Sequence, residues 1–122
     1  MDGEQTIFPE VSYPYGSKDE GVPVLRVLSG GLNGREYPLI KELCVIGRDP
    51  DADIVVDVAE VSRRHATITK MVGQYLLTDT GSRNGVYVHN TRLERSVLKH
   101  GDLFQIGPTV FQFIWHNRPV AA

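Results

Sequence analysis

The chain has 122 residues, 41% of them hydrophobic and 23% charged, and carries a formal net charge of −2. That length suits one domain with a real core and is too short for a TIM barrel or a two-halved Rossmann domain. The single cysteine, Cys44, excludes an internal disulfide framework and a four-cysteine zinc site, and the slight acidity argues against a general nucleic-acid coat. No apolar run approaches the ~20 residues needed to cross a bilayer, and the first ten residues are too acidic and polar for a secretory signal. A cytoplasmic domain with no membrane partner is the expectation.

Residues 1–22 mix proline, glycine and charge, and their apolar members hold no period for long. They read as a flexible N-terminal tail in which Ile7, Phe8, Tyr13 and Tyr15 make local contacts, with a short edge strand around 11–13 as the alternative. From Pro23 the pattern changes to short β-rich runs broken by turn residues. A strand over 23–29 leads into a glycine-rich hairpin loop, Gly30-Gly31-Leu32-Asn33-Gly34, and returns over 35–40 with Tyr37 and Leu39 on one face. A short apolar strand over 43–47 precedes the turn Asp49-Pro50-Asp51-Ala52 and another strand over 53–56. Residues 58–64 form at most a turn or two, having no apolar stripe. The run 65–71 alternates, with Ala66 and Ile68 inward and Thr67 and Thr69 outward, and Val72-Gly73 turns it into 74–79. Brief segments follow at 86–88, Leu93 and Leu98, and a last hairpin pairs 102–106 with 109–115 through Gly107-Pro108. About eleven short strands without a helix predict an all-β, antiparallel β-sandwich over 23–118, followed by a C-terminal tail, 119–122. In such a fold the strands form a scaffold and the loops at one end carry the chemistry.

Three loop segments hold residues that are costly for mere connectors. They are Gly47-Arg48, Ser62-Arg63-Arg64-His65, and Thr80-Gly81-Ser82-Arg83-Asn84-Gly85. Together they supply guanidinium forks, hydroxyls and an amide with no carboxylate among them, an inventory for a dianion rather than a metal ion. An arginine grips phosphate bidentately, a hydroxyl donates one further bond, and an asparagine engages both a C=O and an N–H of a peptide backbone. Each also has an ordinary structural use. Arg48 alone reads as a solvated arginine, Ser62 as a turn or cap residue, Asn84-Gly85 as a type I′ hairpin dipeptide, and His65 as a buried brace.

In order and spacing these segments resemble the forkhead-associated (FHA) domain family. The residues that carry the resemblance are Gly47-Arg48, Ser62-Arg63-Arg64-His65-Ala66 and Asp79-Thr80-Gly81-Ser82-Arg83-Asn84-Gly85-Val86-Tyr87-Val88, with a final Leu98-Lys99-His100-Gly101-Asp102-Leu103-Phe104-Gln105-Ile106-Gly107. The likeness covers residues 24–115, and the joint pattern is specific where each piece is weak. It implies an eleven-stranded sandwich of the FHA/SMAD-like kind, whose apical loops bind phosphothreonine peptides. By position, Arg48 and Ser62 resemble the main phosphate ligands. Arg63 resembles a residue contacting the phosphopeptide, and Asn84 the one that holds its main chain. Arg83 adds a further cation, our own inference from its charge, while Gly47, His65 and Gly85 look architectural: Gly47 lets its loop turn, His65 braces the loops, and Gly85 permits positive φ.

The chain departs from the family pattern in places. Val88-His89-Asn90 stands where many members have V-N-G, and Asn90 still tolerates a left-handed conformation, so the hairpin is expected to persist. Val86 replaces a common threonine. Glu60, two before Ser62, occupies a position that in some members selects the third residue after the phosphothreonine through a basic side chain; an acidic one predicts no preference for aspartate there. Thr6 resembles the position in a bacterial subgroup where an N-terminal phosphothreonine docks onto its own groove, and the 16 residues 7–22 span at most ~50 Å.

These residues imply an adaptor or regulator whose partner is a phosphothreonine-containing protein, a Ser/Thr kinase substrate, rather than an enzyme. Ser62 and His65 lack an orienting acid and an oxyanion hole, no phosphate-binding nucleotide motif occurs, and His65, His89, His100, His116 and Cys44 have no zinc spacing. Arg63-Arg64 is only a local basic spot, so nucleic acid is not an expected partner, and no cofactor is implied. The competing reading is a phospho-independent interaction or oligomerisation scaffold built on the same sandwich.

Overall fold

The computed structural model describes residues 21–116; the expectations for Thr6, for an edge strand at 11–13 and for the C-terminal tail lie outside them. Eleven strands occur in order: β1 Val24–Ser29, β2 Glu36–Pro38, β3 Leu43–Gly47, β4 Ile54–Val55, β5 Ala66–Met71, β6 Gln74–Asp79, β7 Val86–Val88, β8 Thr91–Arg92, β9 Arg95–Val97, β10 Leu103–Ile106 and β11 Thr109–Ile114. They form a six-stranded sheet, β2-β1-β11-β10-β7-β8, and a five-stranded sheet, β4-β3-β5-β6-β9.

The sandwich follows from period-two burial. In β5 Ala66 and Ile68 are buried between half-exposed Thr67 and Thr69, and in β6 Tyr75 and Leu77 alternate in the same way. From the other sheet Leu25, Val27, Val86, Phe104, Ile106, Phe111 and Phe113 project inward, each 2% exposed or less. Fully burying each such side chain contributes roughly 1.5–3 kcal/mol. Phe104 stacks on Phe111 at 5.2 Å between ring centroids, and Tyr75 meets Trp115 edge-on at 4.9 Å. The Trp115 indole N–H donates to the Gly21 carbonyl at 2.9 Å, which ties the segment just before β1 to the residue just after β11.

Two features differ from the expected purely antiparallel, regular pattern. The pair β3–β4 is parallel, with Ile46 opposite Ile54 and Gly47 opposite Val55. A turn over residues 48–53, held by Ala52 N–H to Asp49 C=O and Asp51 N–H to the Asp49 carboxylate, brings the chain back alongside for two residues only. Asp53 then accepts from Lys41 Nζ (2.7 Å) and the Val45 N–H (2.8 Å), and these bonds hold its carboxyl below the usual aspartate value. The second difference concerns only the Asn84-Gly85 dipeptide. Asn84 is not in the left-handed region, whereas Asn90 (φ 67°) is, as expected for the hairpin after Val88, and His89 (φ 50°) joins it. The β7–β8 hairpin therefore uses His89-Asn90 for the two positive φ angles of a type I′ turn, and Asn84 is left for another purpose.

The register gathers the loops. Ile46 of β3 faces Ala66 of β5, which faces Asp79 of β6, and Val86 of β7 faces Ile106 of β10. The loops after β3, before β5, between β6 and β7, and between β10 and β11 consequently emerge at one end of the sandwich.

Candidate functional site

At that end the three chemistry-bearing loops are bonded to one another rather than merely near. The Arg48 N–H donates to Ser62 C=O and the Asp49 N–H to Arg63 C=O, both at 3.0 Å, which zips the β3–β4 loop to the β4–β5 loop. The Arg48 side chain continues along the same segment, its Nε donating to the Val61 carbonyl at 3.0 Å. One nitrogen of the guanidinium is thereby spent on fixing the group, while the two terminal nitrogens make no hydrogen bond among the described residues. Across the site, the Arg83 N–H donates to Ser62 Oγ at 3.1 Å. Accepting that bond orients the hydroxyl and leaves its own O–H to donate elsewhere.

Asn84 Nδ2 donates to the Glu60 carbonyl at 2.7 Å, so the amide is pinned through its nitrogen while its oxygen stays available. The Arg83 guanidinium reaches the Ala59 carbonyl at 3.4 Å, and Arg63 stands 3.8 Å from the Asp49 carboxylate; both arginines are exposed. An exposed pair of that length contributes little to stability, so Arg63 can leave Asp49 for a better anion at small cost.

Beneath these groups lies His65, 0% exposed. The Ser62 N–H donates to its Nδ1 at 3.0 Å, and its Nε2 meets the Gly85 carbonyl at 2.7 Å. Since Nδ1 accepts, the ring proton is on Nε2, and the neutral ring spans the second and third loops. The third loop is closed by its own short bonds. The Asp79 carboxylate caps the N–H groups of Gly81 and Ser82, and Ser82 Oγ accepts from the Gly85 N–H at 2.9 Å. Thr80 Oγ1 donates to the Arg64 carbonyl at 2.8 Å. Gly85, at φ 89°, has the Arg92 side chain where a Cβ would be.

The structure therefore brings Gly47, Arg48, Glu60, Ser62, Arg63, His65, Arg83, Asn84 and Gly85 to one apical end. Cys44 is not among them: it is buried in the core, with burial pushing its thiol up to about 11, and no group of three metal-binding side chains occurs among the described residues. A family model described as FHA domain matches residues 44–107, which spans every one of the apical residues just named. The chain belongs to the FHA domain family.

Relatives and solved structures agree. The chain is 43% identical over 98 residues to an oxoglutarate dehydrogenase inhibitor of Corynebacterium jeikeium, covering 80% of this chain and 67% of that protein. To the glycogen accumulation regulator GarA of Mycolicibacterium smegmatis it is 40% identical over 92 residues, covering 72% of this chain and 58% of the relative. This FHA chain thus spans 67% and 58% of their lengths. In three dimensions it is similar, with a TM-score of 0.72 and 31% identity, to a chain from a structural and functional analysis of phosphothreonine-dependent FHA domain interactions, covering 81% of this chain and 99% of that one. It is also similar to Mycobacterium tuberculosis EmbR in complex with a low-affinity phosphopeptide, with a TM-score of 0.74 and 35% identity over 83% of this chain and 26% of that one.

Two architectural roles in this FHA domain differ from, or go beyond, what spacing implies. Gly47 is not at positive φ; a Cβ there would lie 2.1 Å from the Arg63 carbonyl oxygen and 3.0 Å from that of Ser62. Its requirement is close approach of two backbones, not freedom to turn. Gly47→Ala is expected to push the β4–β5 loop away and destabilise the domain by ~2–3 kcal/mol, as overpacking against backbone does; urea unfolding measures it, and an unchanged midpoint would contradict the contact. Asp79 and Ser82, whose capping bonds shape the third loop, had no assigned role in the sequence, although an aspartate two and three residues before N–H groups of a Gly-Ser pair is the ordinary sign of an Asx turn.

Proposed function

We propose that this FHA domain reads phosphothreonine in a partner protein and works as a regulator or adaptor without catalysing a reaction. Arg48 and Ser62 take the phosphate oxygens, Asn84 engages the peptide main chain beside the phosphothreonine, and Arg63 and Arg83 add cationic contacts at the rim. The observation that carries this reading is the loop-to-loop zipper: Ser62 accepts from the Arg83 N–H while its backbone holds the Arg48 N–H. One hydroxyl and one free guanidinium edge are thus fixed on adjacent segments before any ligand arrives, which reduces the ordering cost of binding a dianion. His65 and Gly85 maintain the platform and touch no ligand. The relatives being named as an inhibitor and a regulator supports a regulatory role.

No cofactor or metal enters the mechanism. The partner expected is a substrate of a Ser/Thr kinase, read in the cytoplasm; no helix among the described residues is long and apolar enough to cross a membrane. Phosphorylation of Thr6 would give the chain a ligand of its own. Calorimetric titration with a phosphothreonine peptide and its unphosphorylated twin tests the reading. Micromolar binding of the first alone is expected, and equal binding of both would favour the phospho-independent scaffold.

Specificity follows from Glu60. Its carbonyl anchors Asn84, and its side chain is exposed with no ion-pair partner among the described residues. A ligand carboxylate placed nearby would meet an uncompensated like charge. An oriented phosphothreonine library is therefore expected to return no enrichment of aspartate three residues after the phosphothreonine, and strong aspartate selection there would contradict it.

A further inference from the structure

Beside Asn84 the surface does not fall away. A hollow of about 410 Å³ lined by Glu60, Asn84, Tyr87, Gln105 and Gly107 adjoins a second of about 370 Å³, lined by Tyr87, His89, Asn90, Leu103, Phe104, Gln105 and Val110. Tyr87 and Gln105 line both, so the two lie side by side and together make a trough that runs from the apical loops onto the outer face of the six-stranded sheet. Its floor is set by register: Val110 of β11 lies opposite Gln105 of β10, which lies opposite Tyr87 of β7. Tyr87 and Leu103 remain 37% and 38% exposed, although outward positions of a solvated sheet face ordinarily carry polar residues. The Gln105 Nε2 donates to the Gly107 carbonyl at 2.9 Å, which commits that nitrogen within the trough, and Tyr87, Leu103 and Val110 supply its apolar surface.

We propose that this trough is a second docking site for the partner, receiving an extended flank of the phosphothreonine peptide that carries a large apolar side chain. The inference rests on the phosphopeptide reading and extends it from the phosphate to the residues beyond. Continuity selects the occupant: the trough begins at Asn84, where a peptide main chain would leave the phosphate site. Its row of three strands spans about 10 Å at ordinary strand spacing, and with the stretch from Asn84 it accepts roughly four or five extended residues. A stable protein–protein interface engages roughly 20–30 residues a side, several times that number, so a peptide flank suits the trough and a second copy of the chain does not. A phosphate clamp supplies most of the affinity and little sequence discrimination; an apolar footing nearby supplies the discrimination.

The test uses a short alanine-based phosphothreonine peptide and versions extended on either flank, with leucine or phenylalanine placed at successive added positions, read by fluorescence anisotropy. An apolar residue on one flank is expected to tighten binding about tenfold, the worth of largely burying one such side chain. Leu103→Thr, which keeps a strand-compatible residue, is expected to remove that gain while leaving the short peptide's affinity unchanged, and Tyr87→Thr is expected to remove it as well. No gain on either flank, or a gain that survives both substitutions, overturns the proposal while leaving the phosphate site intact. Failure of the short peptide to bind overturns the phosphopeptide reading and this proposal with it. A change in sedimentation with Leu103→Thr, without a change in extended-peptide affinity, would assign the trough to a second copy of the chain and overturn the proposal.

Discussion

Arg48→Ala is expected to weaken binding of a phosphothreonine peptide by ~2–3 kcal/mol, about 30- to 150-fold. The estimate starts from one charge-assisted bond at ~1.5–3 kcal/mol, with a bidentate grip at the upper end. Truncating one partner of a fully desolvated charge pair costs up to ~5 kcal/mol, but Arg48 is exposed before the ligand arrives, which places it lower. Its Nε bond to the Val61 carbonyl matters for the size of the effect. A guanidinium already held in place loses little rotamer freedom on binding, so removing it forfeits most of its interaction energy. Arg48→Lys keeps the charge but lacks both the Nε donor and the planar fork, and it is expected to recover only part of the loss. Titration of both variants against the phosphorylated peptide checks this, with unfolding curves to establish that the fold is retained. Undiminished affinity in Arg48→Ala would remove this residue from the site.

The scaffold was more legible in the sequence than the reasons behind it. Strands such as Gln74–Asp79 declare themselves because one face is buried and the alternation is local. The clustering of Arg48, Ser62 and Asn84 was legible only through the joint motif, whose resemblance to the FHA pattern implies that the three loops meet at one end; the crossovers in both sheets would not have been deduced from hairpins. What resisted sequence reading is whatever depends on contact between distant segments. The parallel pairing of Ile54–Val55 with β3 is only two residues long and leaves no periodic trace. Gly47 is required because the backbone of Ser62 and Arg63 passes against it, and nothing in a glycine's neighbours reveals that. The Asn84-Gly85 pair has the composition of a hairpin turn, yet the β6–β7 loop, capped by Asp79 and Ser82, keeps Asn84 out of the left-handed region, while the left-handed Asn90 of the next hairpin was legible. The trough at Tyr87 belongs to the same class, being assembled from three strands, each contributing one or two outward residues.

His65→Leu is expected to lower the stability of the domain by ~2–5 kcal/mol, and to weaken phosphopeptide binding as well. The substitution nearly conserves volume, so a cavity contributes little. The cost comes from polar groups left behind. The Ser62 N–H loses its acceptor at Nδ1 and the Gly85 carbonyl loses its donor at Nε2, both next to a side chain that is 0% exposed. Each buried group without a partner costs about 1–3 kcal/mol. Alternative partners are scarce because the surrounding groups are already committed: the Gly85 N–H to Ser82 Oγ, and the Ser62 carbonyl to the Arg48 N–H. The loss in affinity follows from the same two bonds, since Ser62 carries the proposed phosphate hydroxyl and Gly85 adjoins Asn84. A fall in the urea midpoint together with a faster peptide off-rate is the expected pair of results. Nitrogen NMR of the wild-type ring should show a neutral imidazole protonated at Nε2. Full stability in His65→Leu, or a ring protonated at Nδ1, would mean that the second and third loops are held together by something other than this histidine.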